Sequence, residues 1–239
     1  MGISTGHVHL VVADPDAQKK LFVDILGAQA KTLGPLELLK VPGILVVLQK
    51  ARTAPTEGSA GSTVNHFGFL VKSYADTKAK LTAANIQFAM DNEKNKQIIA
   101  TFPEGVRVEF TEDSSLKLPA VFQRFHLSTP NQENQQAWYV QTFGGTAGKR
   151  STFPAAMLPG GEVDFAKATE PQAATKGRSL DHIGFEVQGL EEFCKKLQAE
   201  GVTFDTTYRV IPQLDGLKIA YVLDPEGTRI ELTEGFAKQ

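Results

Sequence analysis

The chain has 239 residues, of which 41% are hydrophobic and 22% are charged, the composition of an ordinary globular protein. Its net charge of −2, without any long block of like charges, argues against a nucleic-acid-binding surface. The single cysteine excludes an internal disulfide, and no apolar run is long enough to cross a bilayer. Because no charged-then-apolar leader precedes the first strand, we expect a cytoplasmic protein.

The first quarter of the chain predicts one strand, one helix and about three further strands. Residues 7–12 alternate as a strand does, and Asp14-Pro15 then supplies a helix cap and a proline at the first helical position. Gly27 is placed to end that helix, and short strands follow over 36–39 and 44–48. This is a βαβββ unit.

The same unit recurs three more times along the chain. The second unit covers strands at 66–71, 86–88, 97–102 and 106–111, after a loop over 51–63. The third covers 125–127, 152–158 and 162–166, and the fourth 182–187, 202–204, 217–222 and 229–233, each with a helix after its first strand. Residues 113–120 have the composition of a linker.

Two phrases repeat between the halves of the chain. Asn65-His66-Phe67-Gly68-Phe69 returns as Asp181-His182-Ile183-Gly184-Phe185, and Pro103-Glu104-Gly105 with Glu109 returns as Pro225-Glu226-Gly227 with Glu231. The chain is therefore a tandem duplication. Because the later strands of each unit have short connections, they are expected to be antiparallel, which gives an α+β class. We predict two tandem open-barrel domains, residues 1–113 and 121–239, each a cupped sheet of about eight strands with its helices outside.

Paired βαβββ units with these phrases resemble the vicinal oxygen chelate superfamily, which holds glyoxalase I, type I extradiol dioxygenases and bleomycin-resistance proteins. In its metal-dependent members, one ligand comes from the first strand of one unit and two come from the first and last strands of its partner. For neighbouring units the resemblance implies His7, His66 and Glu109, with Glu109 also catalytic. For exchanged units, as in glyoxalase I relatives, it implies His7, His182 and Glu231. We expect neighbouring pairing, because the linker at 113–120 allows it without a crossover.

Strand alternation supports such a site. His66 and Gly68 point to one side of their strand while Phe67 and Phe69 point to the other, and Glu109 lies opposite its apolar neighbours. The apolar faces should pack on the helices and leave the polar side chains on the concave side. Two imidazoles and one carboxylate form the facial set of open divalent sites, here Fe, Mn, Zn or Ni.

The resemblance implies a metal-dependent enzyme acting on a small oxygen-rich substrate, either a lyase or isomerase or a ring-cleaving dioxygenase. The alternatives are a metal-free small-ligand-binding module, as in bleomycin resistance, and a partner-binding protein that retains the fold without chemistry. We expect a small-molecule substrate, no nucleic acid or membrane partner, and a monomer or homodimer.

Five further positions bear on the site. His9 and His126 are equivalent and share the face of the first-strand ligand, either as hydrogen-bonded structural histidines or as groups that support the ligands or carry protons. Tyr221, ten residues before Glu231, resembles an active-site tyrosine of extradiol dioxygenases. Val47 stands where a glyoxalase-like site would place a fourth ligand, and Gln49 reaches that place only after a register shift, which favours a three-ligand centre.

Only one competent metal site per chain is predicted. In the third unit, the offsets that lead to His7 in the first unit lead to Arg124, which has no lone pair for a metal. We expect its guanidinium to take the place of the cation and to pair with a cavity carboxylate such as Glu231.

Overall fold

The computed structural model describes residues 2–238, and these residues contain sixteen strands and four α-helices. The first two units comprise β1 (Ile3–Val12), α1 (Pro15–Leu26), β2 (Gln29–Leu33), β3 (Leu36–Val41), β4 (Ile44–Lys50), β5 (Val64–Val71), α2 (Tyr74–Ala83), β6 (Gln87–Asn92), β7 (Gln97–Phe102) and β8 (Val106–Glu112). The last two comprise β9 (Ala120–Thr129), α3 (Gln132–Phe143), β10 (Thr146–Arg150), β11 (Phe153–Leu158), β12 (Gly161–Lys167), β13 (Leu180–Val187), α4 (Leu190–Ala199), β14 (Phe204–Ile211), β15 (Leu217–Leu223) and β16 (Arg229–Glu234). The four predicted βαβββ units and the α+β class are confirmed.

Local sequence explains where the helices begin and end. The Asp14 side chain accepts a hydrogen bond from the backbone of Ala17 at the start of α1, and Pro15 occupies the first turn. Gly27 ends the helix in the left-handed conformation, with φ of 70°, which glycine adopts without steric cost. In α4 the apolar face is buried, and Cys194 lies within it as a small core residue.

The strands form two eight-stranded sheets, as predicted, but the units pair differently. One sheet has the order β14-β15-β16-β13-β1-β4-β3-β2, so it joins the fourth unit to the first; we call it the first cup. The other has the order β10-β11-β12-β9-β5-β8-β7-β6 and joins the third unit to the second; we call it the second cup. The expected division into paired domains at 1–113 and 121–239 is therefore wrong.

The lengths of the connections give the physical reason for this exchange. The shortest connection between units, residues 113–119, joins β8 to β9 within the second cup, as short connections usually join neighbours. The sequence predicts a domain boundary at these residues, whereas they connect two strands of one sheet. The longer connections, 51–63 and 168–179, are the ones that pass from one cup to the other.

These two crossing segments are hydrogen-bonded to each other. The Thr63 amide donates to the Ala173 carbonyl over 2.9 Å, and the Ala173 amide donates to the Gly61 carbonyl over 3.0 Å. The Arg178 guanidinium, which is largely buried, donates to the carbonyls of Gly58 and Ala60, each over 2.8 Å. Because these contacts satisfy backbone groups of both crossings, they stabilise the exchanged pairing.

The main apolar core lies between the convex sheet faces and the helices. It contains Phe67, Phe69, Val108 and Phe110, so the predicted alternation of β5 and β8 is confirmed. A second, smaller apolar cluster lies in the first cup and includes Val47, Ile219 and Phe236. Within residues 2–238, no helix combines the length and apolar character needed to cross a membrane.

Candidate metal centre

Strand register gathers four polar side chains in the first cup. His7 lies opposite Gly184 on the antiparallel neighbour β13, and Gly184 lies beside Glu231 on the parallel neighbour β16. His9, two residues from His7, lies opposite His182. Residues two apart on a strand share a face, so all four side chains project from one patch. Their candidate ligand atoms all lie within 4.8 Å of one another, and all four residues are buried.

Three of these side chains converge on one carboxylate oxygen. His7 Nε2 lies 2.8 Å and His182 Nε2 lies 3.0 Å from the same Oε2 atom of Glu231. Adjacent ligands of an octahedral ion, each about 2.1 Å from the metal, lie about 3.0 Å apart. The donor set and its separations therefore fit a facial two-histidine, one-carboxylate centre for a divalent transition metal.

Gly184 makes the room for this arrangement. A Cβ atom added there would lie 2.0 Å from His7 Cε1 and 2.5 Å from His7 Nε2, far inside van der Waals contact. Any side chain at this position would therefore displace the imidazole. Glycine is required at this position of the repeated phrase because the imidazole of His7 approaches closely from the neighbouring strand.

A buried ion-pair network fixes the orientation of the His182 ring. His182 Nδ1 lies 2.6 Å from Asp181 Oδ1, so Nδ1–H donates to this carboxylate. Nε2 is then the nitrogen that bonds Glu231 over 3.0 Å and that, without its proton, can ligate an ion. Asp181 also accepts from Arg229 Nη1 over 2.6 Å and from the Gly177 amide over 2.8 Å. Burial by itself would raise the pKa of Asp181, but the bond to His182 and these donors hold it well below its usual range.

His9 is neutral and has one free ring nitrogen. Its Nε2 lies 3.1 Å from Gln49 Oε1, so Nε2–H donates to the amide oxygen. Its Nδ1 is buried and, among the described residues, lacks a hydrogen-bond partner. Burial, together with the nearby His182, lowers the pKa of His9 to about 3. The Nδ1 lone pair is therefore available to a ligand or metal.

Tyr221 and a cavity complete the site. A cavity of about 240 Å³ lies against His9, Glu231 and Tyr221. The Tyr221 ring stands edge-on to His182 at 5.2 Å, and burial together with the charge of Glu231 raises its pKa, so the phenol stays protonated and can donate. A larger open cleft of about 630 Å³ touches none of the four clustered residues, so we assign the chemistry to the smaller cavity.

Comparison with known proteins agrees with this geometry. Residues 121–232 match the sequence model of the Glyoxalase/Bleomycin resistance protein/Dioxygenase superfamily. Residues 121–232 belong to this superfamily. No curated protein sequence matches the chain.

Solved structures of similar fold cover both halves of the chain. A variant of glyoxalase I from Zea mays has a TM-score of 0.76 at 12% identity, covering 98% of this chain and 94% of the maize chain. A proposed dioxygenase from Bacillus subtilis has a TM-score of 0.72 at 14% identity, covering 98% of this chain and 86% of its own. At these identities the likeness concerns the fold alone.

The structure separates the two ligand sets predicted from the sequence. The alternative set, His7, His182 and Glu231, comes together in the first cup. The first-choice set is wrong, because His66 and Glu109 lie in the second cup and His7 does not. The catalytic role expected of Glu109 loses its basis with that set. The physical reason is the exchanged pairing, which no local pattern in the sequence encodes.

Other predicted positions are placed as follows. Val47 lies beside His9 in register, so the absence of a fourth carboxylate at this position is confirmed. Gln49 contacts His9 instead. The supporting roles of Asp181 and Arg229 were missed, although the change from Asn65 in one phrase to aspartate in the other was a visible signal.

The second cup has an arginine at the position of the first-strand ligand. Arg124 lies opposite Gly68, as His7 lies opposite Gly184, and its Nη2 is 2.5 Å from Glu109 Oε1. The expected pairing of Arg124 with a cavity carboxylate is confirmed, but the partner is Glu109 rather than Glu231. His66 Nε2 bonds the other oxygen of Glu109 over 2.8 Å. Burial alone would raise the pKa of Glu109, but His66 and Arg124 hold it far below its usual range.

Proposed function

We propose that the first cup is a metal-dependent catalytic site that binds one divalent ion through His7, His182 and Glu231. The observation that carries the proposal is the convergence of two imidazole Nε2 atoms on one buried carboxylate oxygen, at 2.8 Å and 3.0 Å, beside a cavity. The substrate is a small oxygen-rich molecule, since three protein ligands leave open positions for two neighbouring substrate oxygens.

The side chains around the centre have complementary tasks. The bound ion would supply Lewis acidity and, if it is iron, a place for dioxygen. Tyr221, kept protonated, donates a hydrogen bond to a substrate oxygen, whereas neutral His9 accepts one from a substrate hydroxyl at Nδ1. Asp181 holds the His182 ring in the ligating tautomer. The apolar walls of the cavity exclude water from the reacting oxygens.

Ring-cleaving dioxygenation is the reaction class that we favour. Val47 provides no fourth ligand, so the three protein donors leave room for a bidentate substrate and a third exogenous ligand. Tyr221 and His9 also border the cavity. An isomerase or lyase reaction needs only the two substrate positions and is the second candidate. A metal-free binding module would not need two imidazoles that converge on one oxygen of a buried carboxylate.

The first test is metal content in protein purified without chelator under anaerobic and aerobic conditions. We expect about one ion per chain, and we expect His182→Gln to reduce metal occupancy to near zero because the ring nitrogen is lost. The matched control is His66→Gln, which changes the equivalent residue of the second cup and should keep one ion. Iron that is lost or oxidised in air would favour the dioxygenase, and an air-stable Zn, Ni or Mn centre would favour the isomerase or lyase.

Absence of metal from wild-type protein after reconstitution with each ion would contradict the proposal and leave the binding module. Metal lost from His66→Gln but retained by His182→Gln would contradict the choice of cup.

A further inference from the structure

The cavity beside the candidate centre has a polar end and an apolar body. His9, Gln49, Tyr221 and Glu231 form the polar end. The apolar walls consist of Leu36, Ile211, Leu214, Leu217, Ile219 and Phe236. Its volume of about 240 Å³ is below the range of roughly 300–1,000 Å³ that drug-sized ligands occupy. The occupant is therefore small, with polar atoms at the centre and an apolar remainder.

One basic residue lies at the far side of this cavity. Arg209 lines it from β14, the outermost strand of the first cup, and is exposed to solvent. Its cross-strand partner is Ile219 on β15, so the two side chains project from the same face. That face is also the one that carries the apolar wall.

Arg209 differs from Arg229 and Arg124 because its charge is unused. Arg229 bonds Asp181 and Asp205, and Arg124 bonds Glu109. Between residues 2 and 238, the side chain of Arg209 has neither an ion pair nor a hydrogen bond. A guanidinium that borders a ligand cavity and lacks an internal partner is suited to bind an anionic group of the ligand.

The spacing matches a small extended molecule. Arg209 lies opposite Ile219 on β15, and Glu231 lies opposite Tyr221 on the same strand. Ile219 and Tyr221 are two residues apart, which is about 7 Å along the strand. Two strand spacings add about 10 Å across the sheet, so the backbones of Arg209 and Glu231 are about 12 Å apart. A molecule whose chelating oxygens occupy the centre can therefore extend a short apolar chain or ring to the guanidinium.

We infer that the substrate of the first cup is a small amphipathic anion, with two neighbouring oxygens at the metal, an apolar middle and a carboxylate at Arg209. This inference rests on the proposed metal-dependent function. An anionic substrate also complements the charge of the cavity. Glu231 neutralises only one of the two positive charges of a divalent ion, and Arg209 adds another positive charge. The cavity is thus electropositive when the ion is bound.

The test uses two chelating probes that differ only at the end remote from the metal. Adipic monohydroxamate carries a carboxylate there, and hexanohydroxamate carries a methyl group. Their dissociation constants are measured by calorimetry on zinc-loaded protein, in which no redox reaction complicates binding. We expect wild type to bind the acid about tenfold more tightly, the effect of roughly one charge-assisted contact. Arg209→Gln should bring the ratio of the two constants close to one.

The matched control is Arg52→Gln, which removes an exposed arginine that does not line the cavity and should keep the wild-type ratio. A ratio unchanged in Arg209→Gln, a ratio near one in wild type, or binding of neither probe would overturn the inference. Zinc content is measured on every sample. If wild type does not bind zinc, the proposed function itself is contradicted. If wild type binds zinc but does not prefer the probe with the carboxylate, only the assignment of Arg209 is contradicted.

Discussion

The two cups have equivalent strands in the same order, but different side chains surround the buried carboxylate in each. In the first cup Glu231 faces two imidazoles, and no lysine or arginine of the described residues pairs with it. In the second cup Glu109 faces one imidazole and the guanidinium of Arg124. A buried carboxylate needs a compensating positive charge. In the second cup the guanidinium of Arg124 supplies that charge as part of the chain. Under the proposed function, a bound divalent ion supplies it in the first cup.

A second difference reinforces the first. Asp164 in the second cup corresponds in register to Val47 in the first, since Asp164 lies beside His126 and Val47 lies beside the equivalent His9. Arg124 Nε lies 3.2 Å from Asp164 Oδ2, so the guanidinium is placed between two carboxylates. The first cup is apolar at that position and the second is acidic. We interpret the second cup as a metal-site framework in which a fixed cation replaces the ion.

The largest expected effect comes from converting the second cup. Arg124→His would place an imidazole opposite Gly68, where a glycine already leaves room, beside His66, Glu109 and Asp164. We expect metal content to rise from about one to about two ions per chain, measured by elemental analysis of reconstituted protein. Arg124→Gln is the control and should stay near one ion, because it removes the cation without adding an imidazole. If the histidine variant also stays near one, the arginine is not what prevents metal binding.

A smaller effect is expected from the support of the first cup. Asp181→Asn should weaken metal binding about 10- to 100-fold, because the amide orients the His182 ring less strongly than a carboxylate does. The equivalent residue in the second cup is Asn65, which bonds His66 Nδ1 over 3.0 Å, and Asn65→Asp should leave metal affinity unchanged. Competition with a chelator of known affinity gives both values. Equal affinity of wild type and Asp181→Asn would show that the tautomer is held by other groups.

The smallest effect is a pH dependence of the second cup. Burial lowers the pKa of His66 from 6.5 to about 4, although the hydrogen bond that the ring donates to Glu109 acts in the opposite direction. The folded protein therefore keeps this ring neutral at pH values where the unfolded chain protonates it. The resulting stability is complete above pH 6.5 and is lost as the pH falls toward 4. In metal-free protein, urea unfolding should show wild type losing up to about 1.4 kcal/mol per pH unit more than His66→Gln in this interval. Parallel pH profiles would contradict the depressed pKa.

Much of this architecture follows from local patterns in the sequence. The four units, the helix ends at Asp14 and Gly27, and the inward direction of His66 and Glu109 depend on capping and strand alternation, which act over a few residues. The repeated phrases identified the superfamily. The correspondence between His7 and Arg124 was also visible, because equal offsets within each unit define it.

Only the tertiary structure decided which units share a sheet, and hence which residues form the site. The strands β5 and β13 carry the same repeated phrase, with a histidine followed two residues later by a glycine. No local preference therefore distinguishes His66 from His182 as the partner of His7, although β1 pairs with β13. The choice is stabilised by contacts distant in sequence, such as the bonds of Arg178 to Gly58 and Ala60 across the crossing segments. Backbone pairing between distant segments leaves no periodic pattern in the sequence. For this reason the sequence alone shows that the candidate ligands are histidines and a glutamate, and the tertiary structure then decides that they are His7, His182 and Glu231.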